Sequence, residues 1–365
     1  MASFQYGGQA LIEGVLMRGR SALAVALRHP DHSIVWAEER LDLGLRAHRA
    51  MRLPFMRGLV VLYDTLVSGT RWLVRSATIQ ALGIEAATRA GGPGIGSSLV
   101  ATVTAPALLS VTGPSPAGND ASSGGGPGKG FTAAVAVMLL FSLAVGVGIF
   151  FLLPLLIAQA TIGRVDQGLG FQLTEGLIRV AIFIGYLVLV ARAPDVRRTF
   201  QYHGAEHMSI HALEAGDPLT VEAARKYPTA HPRCGTEFLV VVLIVSILAF
   251  ALVGRLSPLW LIASRVLLIP VIAAVSYEIL QLGARHRGHA SVRLLWSPGI
   301  WVQKITTRQP TDDMIEVAIV SLQRALAANG AEIPAGSAAI AARPMAEDGA
   351  ASPMAGDGSV AGYRP

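Results

Sequence analysis

QYHGAEHMSIHALEAGDPLTVEAARKYPTAHPRCGT, residues 201–236, holds four of the chain's nine histidines and its only cysteine, and it lies between two long apolar runs. Read as a helix from Tyr202 to Ala215, it puts His203, Glu206, His207 and His211 on one face, within an arc of roughly 140° at about 100° per residue. Gly216, Asp217 and Pro218 end that helix. Thr220 has the character of an N-cap and predicts a second short helix. A turn-rich segment follows, Tyr227-Pro228-Thr229, and then His231-Pro232-Arg233-Cys234-Gly235.

The flanking runs decide the fold class. Four have spanning length: Phe131 to Gln159, with a kink expected at Pro154; Leu177 to Ala191, with Arg179 snorkelling at its start; Phe238 to Val253, without charge; and Leu259 to Leu282, carrying Arg265, Pro270 and Glu278. Of all residues 52% are hydrophobic and only 15% charged, with mean hydropathy +0.50. A soluble domain carries about 25% charged residues. The expectation is a mainly α integral membrane protein with about four transmembrane helices and a small cytoplasmic β-containing N-terminal region. The net charge of +6 has a topological explanation. Residues 1–130, 192–235 and 283–310 are Arg-rich, whereas the loops near 160–176 and 254–258 hold only Arg164 and Arg255. The positive-inside rule then puts both termini and the His-rich loop, 192–237, in the cytoplasm. Nucleic acid is not needed to account for the basic excess. A single cysteine excludes an intrachain disulfide, and the N-terminus lacks the pattern of a signal peptide.

The remaining chain divides by composition. Residues 1–87 read as β structure, with strands at Ala22 to Arg28 and Ser33 to Glu39 joined by a turn, followed by an Arg-bearing amphipathic helix lying on the membrane surface or packed on the spans. Residues 88–130 read as a Gly/Ala/Pro-rich linker; Ser98 to Val111 inside it is apolar but too short and broken by Pro106 to span. The membrane domain is 131–309. Residues 310–330 form an amphipathic helix with Asp312 and Asp313 in its first turn, and 331–365 read as a disordered tail.

The chemistry concentrates in the opening stretch. His203-x-x-Glu206-His207 has the letters of the inverted zinc-peptidase motif. Histidines at i and i+4 project from adjacent turns and can ligate one ion, while a glutamate beside them can act as general base or as a further ligand. His211 extends the face, and His231 and Cys234 can add a ligand from the following loop. Those two could instead form a base and a thiol nucleophile, though nothing else in the chain supplies an orienting third member, and the whole set can be a polar juxtamembrane helix whose imidazoles only hydrogen-bond. Glu278, about a turn inside the end of the fourth span, is an intramembrane carboxylate and so a candidate catalytic or ligand residue; pairing with Arg285 is the bland alternative. We expect it to pack toward His203, His207 and Cys234. Glu13 reads as a ligand or as a strand carboxylate paired with Arg18. No phosphate loop, GxSxG elbow or CxxC pair occurs.

GGQALIEGVLMRG, LPFMRGLVVLYDTL, YHGAEHMSIHALE, HPRCGTEFL, VSYEILQL and TTRQPTDDMIEVAI, in that order, resemble the YqhQ-like family of bacterial membrane proteins of unknown function, often labelled predicted metal-dependent enzymes. The resemblance runs from Tyr6 to Ala328 without the linker and tail. It implies a multi-pass protein of the bacterial cytoplasmic membrane. The expected function is a metal-dependent membrane hydrolase, with a divalent ion, zinc by default, held by His203, His207 and one of His211, His231 or Cys234. Its partners would be the bilayer and a small or lipid-soluble substrate. The alternative is a non-catalytic metal sensor, assembly factor or small transporter.

Overall fold

The computed structural model describes residues 6–41, 53–89, 140–162, 169–232, 234–253, 257–286 and 289–345. It is mostly helical with one small sheet. Four strands, β1 (Gly7–Leu11), β2 (Gly14–Arg18), β3 (Ala22–Arg28) and β4 (Ile34–Arg40), form an antiparallel meander. Their side chains alternate between two cores, as the two-residue period of a strand requires. Val15, Met17, Ala24 and Ala26 face one core. Leu16, Leu23, Val25 and Leu27 face the other, with Trp72 and Ile79 of helix α1 (Met56–Arg89). Helix α1 therefore covers the sheet, which the sequence reading, bilayer surface or spans, did not foresee. Its first turn does reach the bundle: a Cβ on Gly58 would sit 2.8 Å from the Tyr277 ring.

The described helices include three long and apolar enough to cross a membrane, or four if a bent pair counts as one span. They are α2 (Leu140–Thr161), α3 (Leu169–Val190), α6 (Gly235–Val253) and the pair α7 (Pro258–Leu267) and α8 (Ile269–Arg285), bent by 41°. The expected fourth span is thus broken at Leu268, where Pro270 enters the first turn of α8. The break expected at Pro154 takes the form of a π-helical turn over Gly148–Leu152. Proline has no N–H to give to the carbonyl four residues back, that of Phe150. The Phe150 carbonyl instead accepts a bond from Arg179 Nε at 3.0 Å.

Arg179 does not snorkel. Helix α3 begins at Leu169, eight residues ahead of the expected span, and draws Gln172 and Glu175 in with it. Arg179 is 2% exposed, Glu175 1% and Arg265 0%. Glu175 accepts from Arg179 Nη2 at 2.5 Å, from Arg265 Nε at 2.9 Å and from Arg265 Nη2. Both guanidiniums also lie over the Phe250 ring, at 4.7 and 4.2 Å. One carboxylate therefore holds two arginines inside the bundle.

Four further helices complete the frame of the site. Helix α4 (Pro194–Ala215) starts earlier than Tyr202, on Pro194, and ends on Gly216 in the left-handed region, φ 78°. Helix α5 (Val221–Ala224) is capped by Thr220, whose hydroxyl accepts the Ala223 N–H at 3.1 Å. Residues 290–306, expected inside an Arg-rich loop, form helix α9 (Ala290–Thr306). Helix α10 (Asp312–Ala328) is buried on more than its Met314, Ile315, Ala318, Ile319 and Leu322 stripe. Val317, Val320 and Ala325 are covered too, because α10 lies between the sheet and α4. Residues 331–345 are not a loose tail. Ser337 Oγ accepts the Leu219 N–H at 2.9 Å, and β5 (Arg343–Pro344) pairs with β4 in parallel. Most of the linker, 90–130, and the tail beyond 345 lie outside the described residues, as does Ser98 to Val111.

Removing one partner from a buried ion cluster leaves an uncompensated charge, at a cost of about 3–5 kcal/mol. Glu175→Gln is therefore expected to lower the unfolding free energy in detergent by that order. Leu252→Ala, at a side chain 87% exposed, serves as the neutral control. A Glu175→Gln protein as stable as the control would show that the cluster does not hold the bundle.

Candidate metal centre

The site grows out of α4. The helix carries many polar residues, yet Tyr202, Gly204, Ala205, Glu206, His207, Met208, Ser209 and Ile210 are all buried. Tyr202, Ala205, Met208 and Ile210 enter the core shared with α10 and the sheet. The histidines turn toward residues 229–234 and the end of α9.

Each imidazole is oriented by a main-chain carbonyl. His203 Nδ1 donates to the Thr306 carbonyl at 2.9 Å, and His207 Nδ1 donates to the Thr229 carbonyl at 2.6 Å. A ring nitrogen bonded to a carbonyl must carry the proton, so in both residues Nε2 keeps the lone pair. His203 Nε2 lies 3.1 Å from Cys234 Sγ. One ring nitrogen of each histidine and the Cys234 sulfur all fall within 4.8 Å of one another. The sulfur also accepts the Thr236 N–H at 3.3 Å, at the start of α6.

Glu206 lies beneath this group, 3% exposed. The Gly8 N–H of β1 donates to its carboxylate, and Oε2 has no hydrogen-bond partner among the described residues. Burial, reinforced by Cys234, pushes its pKa up to about 8, against the opposing pull of His203 and the Gly8 N–H. Burial also holds His207 well below the usual histidine range and raises the Cys234 thiol. In the metal-free chain burial therefore favours the neutral forms of His207, Cys234 and Glu206.

These residues suit a divalent ion. Two imidazoles with carbonyl-fixed tautomers and a thiol make a nitrogen and sulfur set of the kind zinc takes. The buried Glu206 Oε2 is a negative charge in waiting, which a cation beside it would favour. Of the residues expected here, the structure brings together His203, His207 and Cys234, with Glu206 near enough to His203 and Cys234 to feel their charge. His211 and His231 converge with Glu214 in a second group.

Glu278 belongs to neither group. Its carboxylate accepts from Arg57 Nε at 2.8 Å, from Arg57 Nη2 and from the Phe55 N–H at 3.0 Å. It fastens the start of α1 to α8, which replaces both the expected link to the histidines and the pairing with Arg285. Glu13 pairs with Arg198 of α4 and accepts from the Tyr202 hydroxyl at 3.2 Å, while Arg18 goes to Asp64 at 2.5 Å. The sequence reading missed the groups that orient the ligands: the carbonyls of Thr229 and Thr306, the Gly8 N–H, and Gln303. Three are main-chain atoms and carry no residue signature; Gln303 is hidden in α9.

Residues 53–328 match the model of a family described as protein of unknown function (DUF1385). The uncharacterized protein YqhQ of Bacillus subtilis (strain 168) is 30% identical over 322 residues, covering 88% of this chain and 92% of that relative. No solved structure matches the chain.

A depressed folded-state pKa means that His207 stabilises the metal-free fold fully above about pH 6.5, the unfolded value, and loses that contribution as pH falls below it. Nitrogen-15 NMR of metal-free protein at pH 6 is expected to show His207 neutral, with its proton on Nδ1. An imidazolium signal at that pH would contradict the buried, carbonyl-bound geometry.

Proposed function

The chain belongs to the DUF1385 family, and within it we propose a metal-dependent membrane enzyme, a hydrolase, whose ion is held by His203, His207 and Cys234. One observation carries the reading. His203 Nε2 lies 3.1 Å from the Cys234 sulfur, a ring nitrogen of His207 one turn on falls within 4.8 Å of both, and the nearby buried Glu206 Oε2 has no hydrogen-bond partner among the described residues. Bound there, a divalent ion, zinc by default, supplies Lewis-acid chemistry. Glu206 then works as the proton carrier. Its Oε2 takes a proton from the attacking water and returns it to the leaving group, while the Gly8 N–H steadies the same carboxylate.

Cys234 immediately precedes α6, so the centre would lie at a membrane interface, within reach of a lipid-soluble substrate. The Arg distribution assigns that face, and both termini, to the cytoplasm. A second reading, a sensor or assembly factor with a closed ion site, is favoured by the burial of His207, Cys234 and Glu206.

Metal analysis of the purified chain is expected to find zinc, lost in the His203→Ala, His207→Ala double variant while the protein stays inserted. Glu206→Gln should keep the ion and abolish hydrolysis of any chromogenic ester, amide or phosphoester that the wild type cleaves. A wild type that repeatedly carries no ion and takes none up at micromolar concentration would sink the proposal. Retention of full hydrolytic activity by Glu206→Gln would remove Glu206 from its role.

For orientation, Cys234 is a poor probe because it is only 7% exposed. In a Cys234→Ser background, Ser257→Cys, at the N-cap of α7 beyond the far end of α6, is expected to react with an impermeant maleimide added to intact cells, and Gln309→Cys is not. The reverse pattern would invert the topology.

A further inference from the structure

The histidines of α4 do not form one cluster. Ligand atoms of His211, Glu214 and His231 lie within 4.8 Å of one another, as a group separate from His203, His207 and Cys234. We propose that this second group is a second divalent-cation site, so that α4 carries a two-ion centre. The two-ion description rests on the first group being a metal site; the second group stands on its own geometry.

That geometry is built. His211 and Glu214 are three residues apart and share one face of α4. His211 Nε2 donates to the Ala230 carbonyl at 3.0 Å. Its ring stacks on Tyr227, centroids 5.8 Å apart and planes 14° apart, and the Tyr227 hydroxyl donates to Asp217 at 2.9 Å. The His211 ring is thus held by both its edge and its face. His231 is 2% exposed, its backbone N–H donates to Gln303 Oε1 at 2.9 Å, and its Nε2 lies 3.3 Å from Glu214 Oε2. Ring centroids run His203 to His207 at 4.4 Å, His207 to His231 at 5.6 Å, and His231 to His211 at 4.4 Å. Residues 231–234 close both groups, His231 serving the second and Cys234 the first.

The two sites differ in chemistry. The first offers two nitrogens and a sulfur, all within the fold. The second offers two nitrogens and a carboxylate oxygen, and the Glu214 side chain is 34% exposed. A carboxylate shifts preference toward harder ions such as manganese, and exposure leaves room for a position open to solvent or substrate. The second ion would be the exchangeable one.

Cobalt(II) tells the sites apart, because only the Cys234 group can give a thiolate-to-cobalt charge-transfer band. The full chain in detergent, stripped and reloaded with cobalt(II), is expected to bind two ions and show the band. Glu214→Ala should lose one ion and keep the band. Cys234→Ser should lose the band and keep the ion that Glu214 holds. His211→Gln provides a second variant should Glu214→Ala fail to fold, with the same loss expected. One ion in the wild type, with the band present and both Glu214→Ala and His211→Gln unchanged in ion count, overturns the second site and leaves the first intact. One ion without the band, lost in Glu214→Ala, supports the second site and removes the first. No ion at all overturns both.

Discussion

Everything near the centre follows from the burial of a polar helix. From Tyr202 to Ile210, α4 is covered by α10 and the sheet on one side and by residues 229–234 and 306–308 on the other. A polar group withdrawn from water costs several kcal/mol unless it is hydrogen-bonded, on the order of 2–7 depending on the reference state. Each imidazole on the helix therefore has to find a carbonyl, and Thr306, Thr229 and Ala230 supply them in succession. Those three bonds fix the path of two chain segments against α4 and set which nitrogen of each ring carries the proton. Gly204 makes the approach possible. A Cβ there would sit 2.2 Å from the Arg308 carbonyl, so only glycine lets 306–308 come near enough for Thr306 to reach His203.

The same helix joins the sheet to the bundle. Arg198 and Tyr202, on its first half, hold Glu13 in the β1–β2 turn, and Glu206 takes the Gly8 N–H from β1. A Cβ on Gly8 would lie 2.4 Å from the Leu16 carbonyl and 2.9 Å from Glu206 Oε1. The first strand is consequently a wall of the site, and the N-terminal sheet positions chemistry that its own sequence does not announce. Away from the site, Glu278 receives Arg57 and clamps α1 to α8. Its place in the molecule is architectural: the carboxylate marks a joint between the start of α1 and α8.

What could be read from the sequence was what periodicity and local chemistry encode. The α4 face, its Gly216 stop, the Thr220 cap and the apolar runs all depend on residues within a turn or two of one another, and the structure has them. Three things depended on distant partners. Glu175 looked like a loop residue because a carboxylate ends an apolar run; only Arg179 and Arg265, from its own helix and another, make it a residue of the span. Helix α9 was masked by the arginines that mark topology. Residues 331–345 have the composition of a loose tail, and they are ordered by the edge of β4 and by Leu219. Composition predicts whether a segment can build a core alone, and this one uses a core already built.

The two buried polar systems show opposite solutions to one problem. In the bundle, Glu175 meets both arginines directly, and the Phe150 carbonyl left bare by Pro154 is absorbed into the same network. Such a cluster can hold helices together. Around α4 the groups are held neutral. His207 is kept from protonating, Cys234 from ionising, and Glu206 keeps its proton up to about pH 8. Neutral donors packed together without a counter-charge do not repel, so the fold can assemble before any ion arrives. A cation entering such a set gains a thiolate and a carboxylate by displacing their protons, so affinity should rise with pH. Burial of the ligands thus serves folding first, and it also makes the centre a place where cation binding and proton release are the same event.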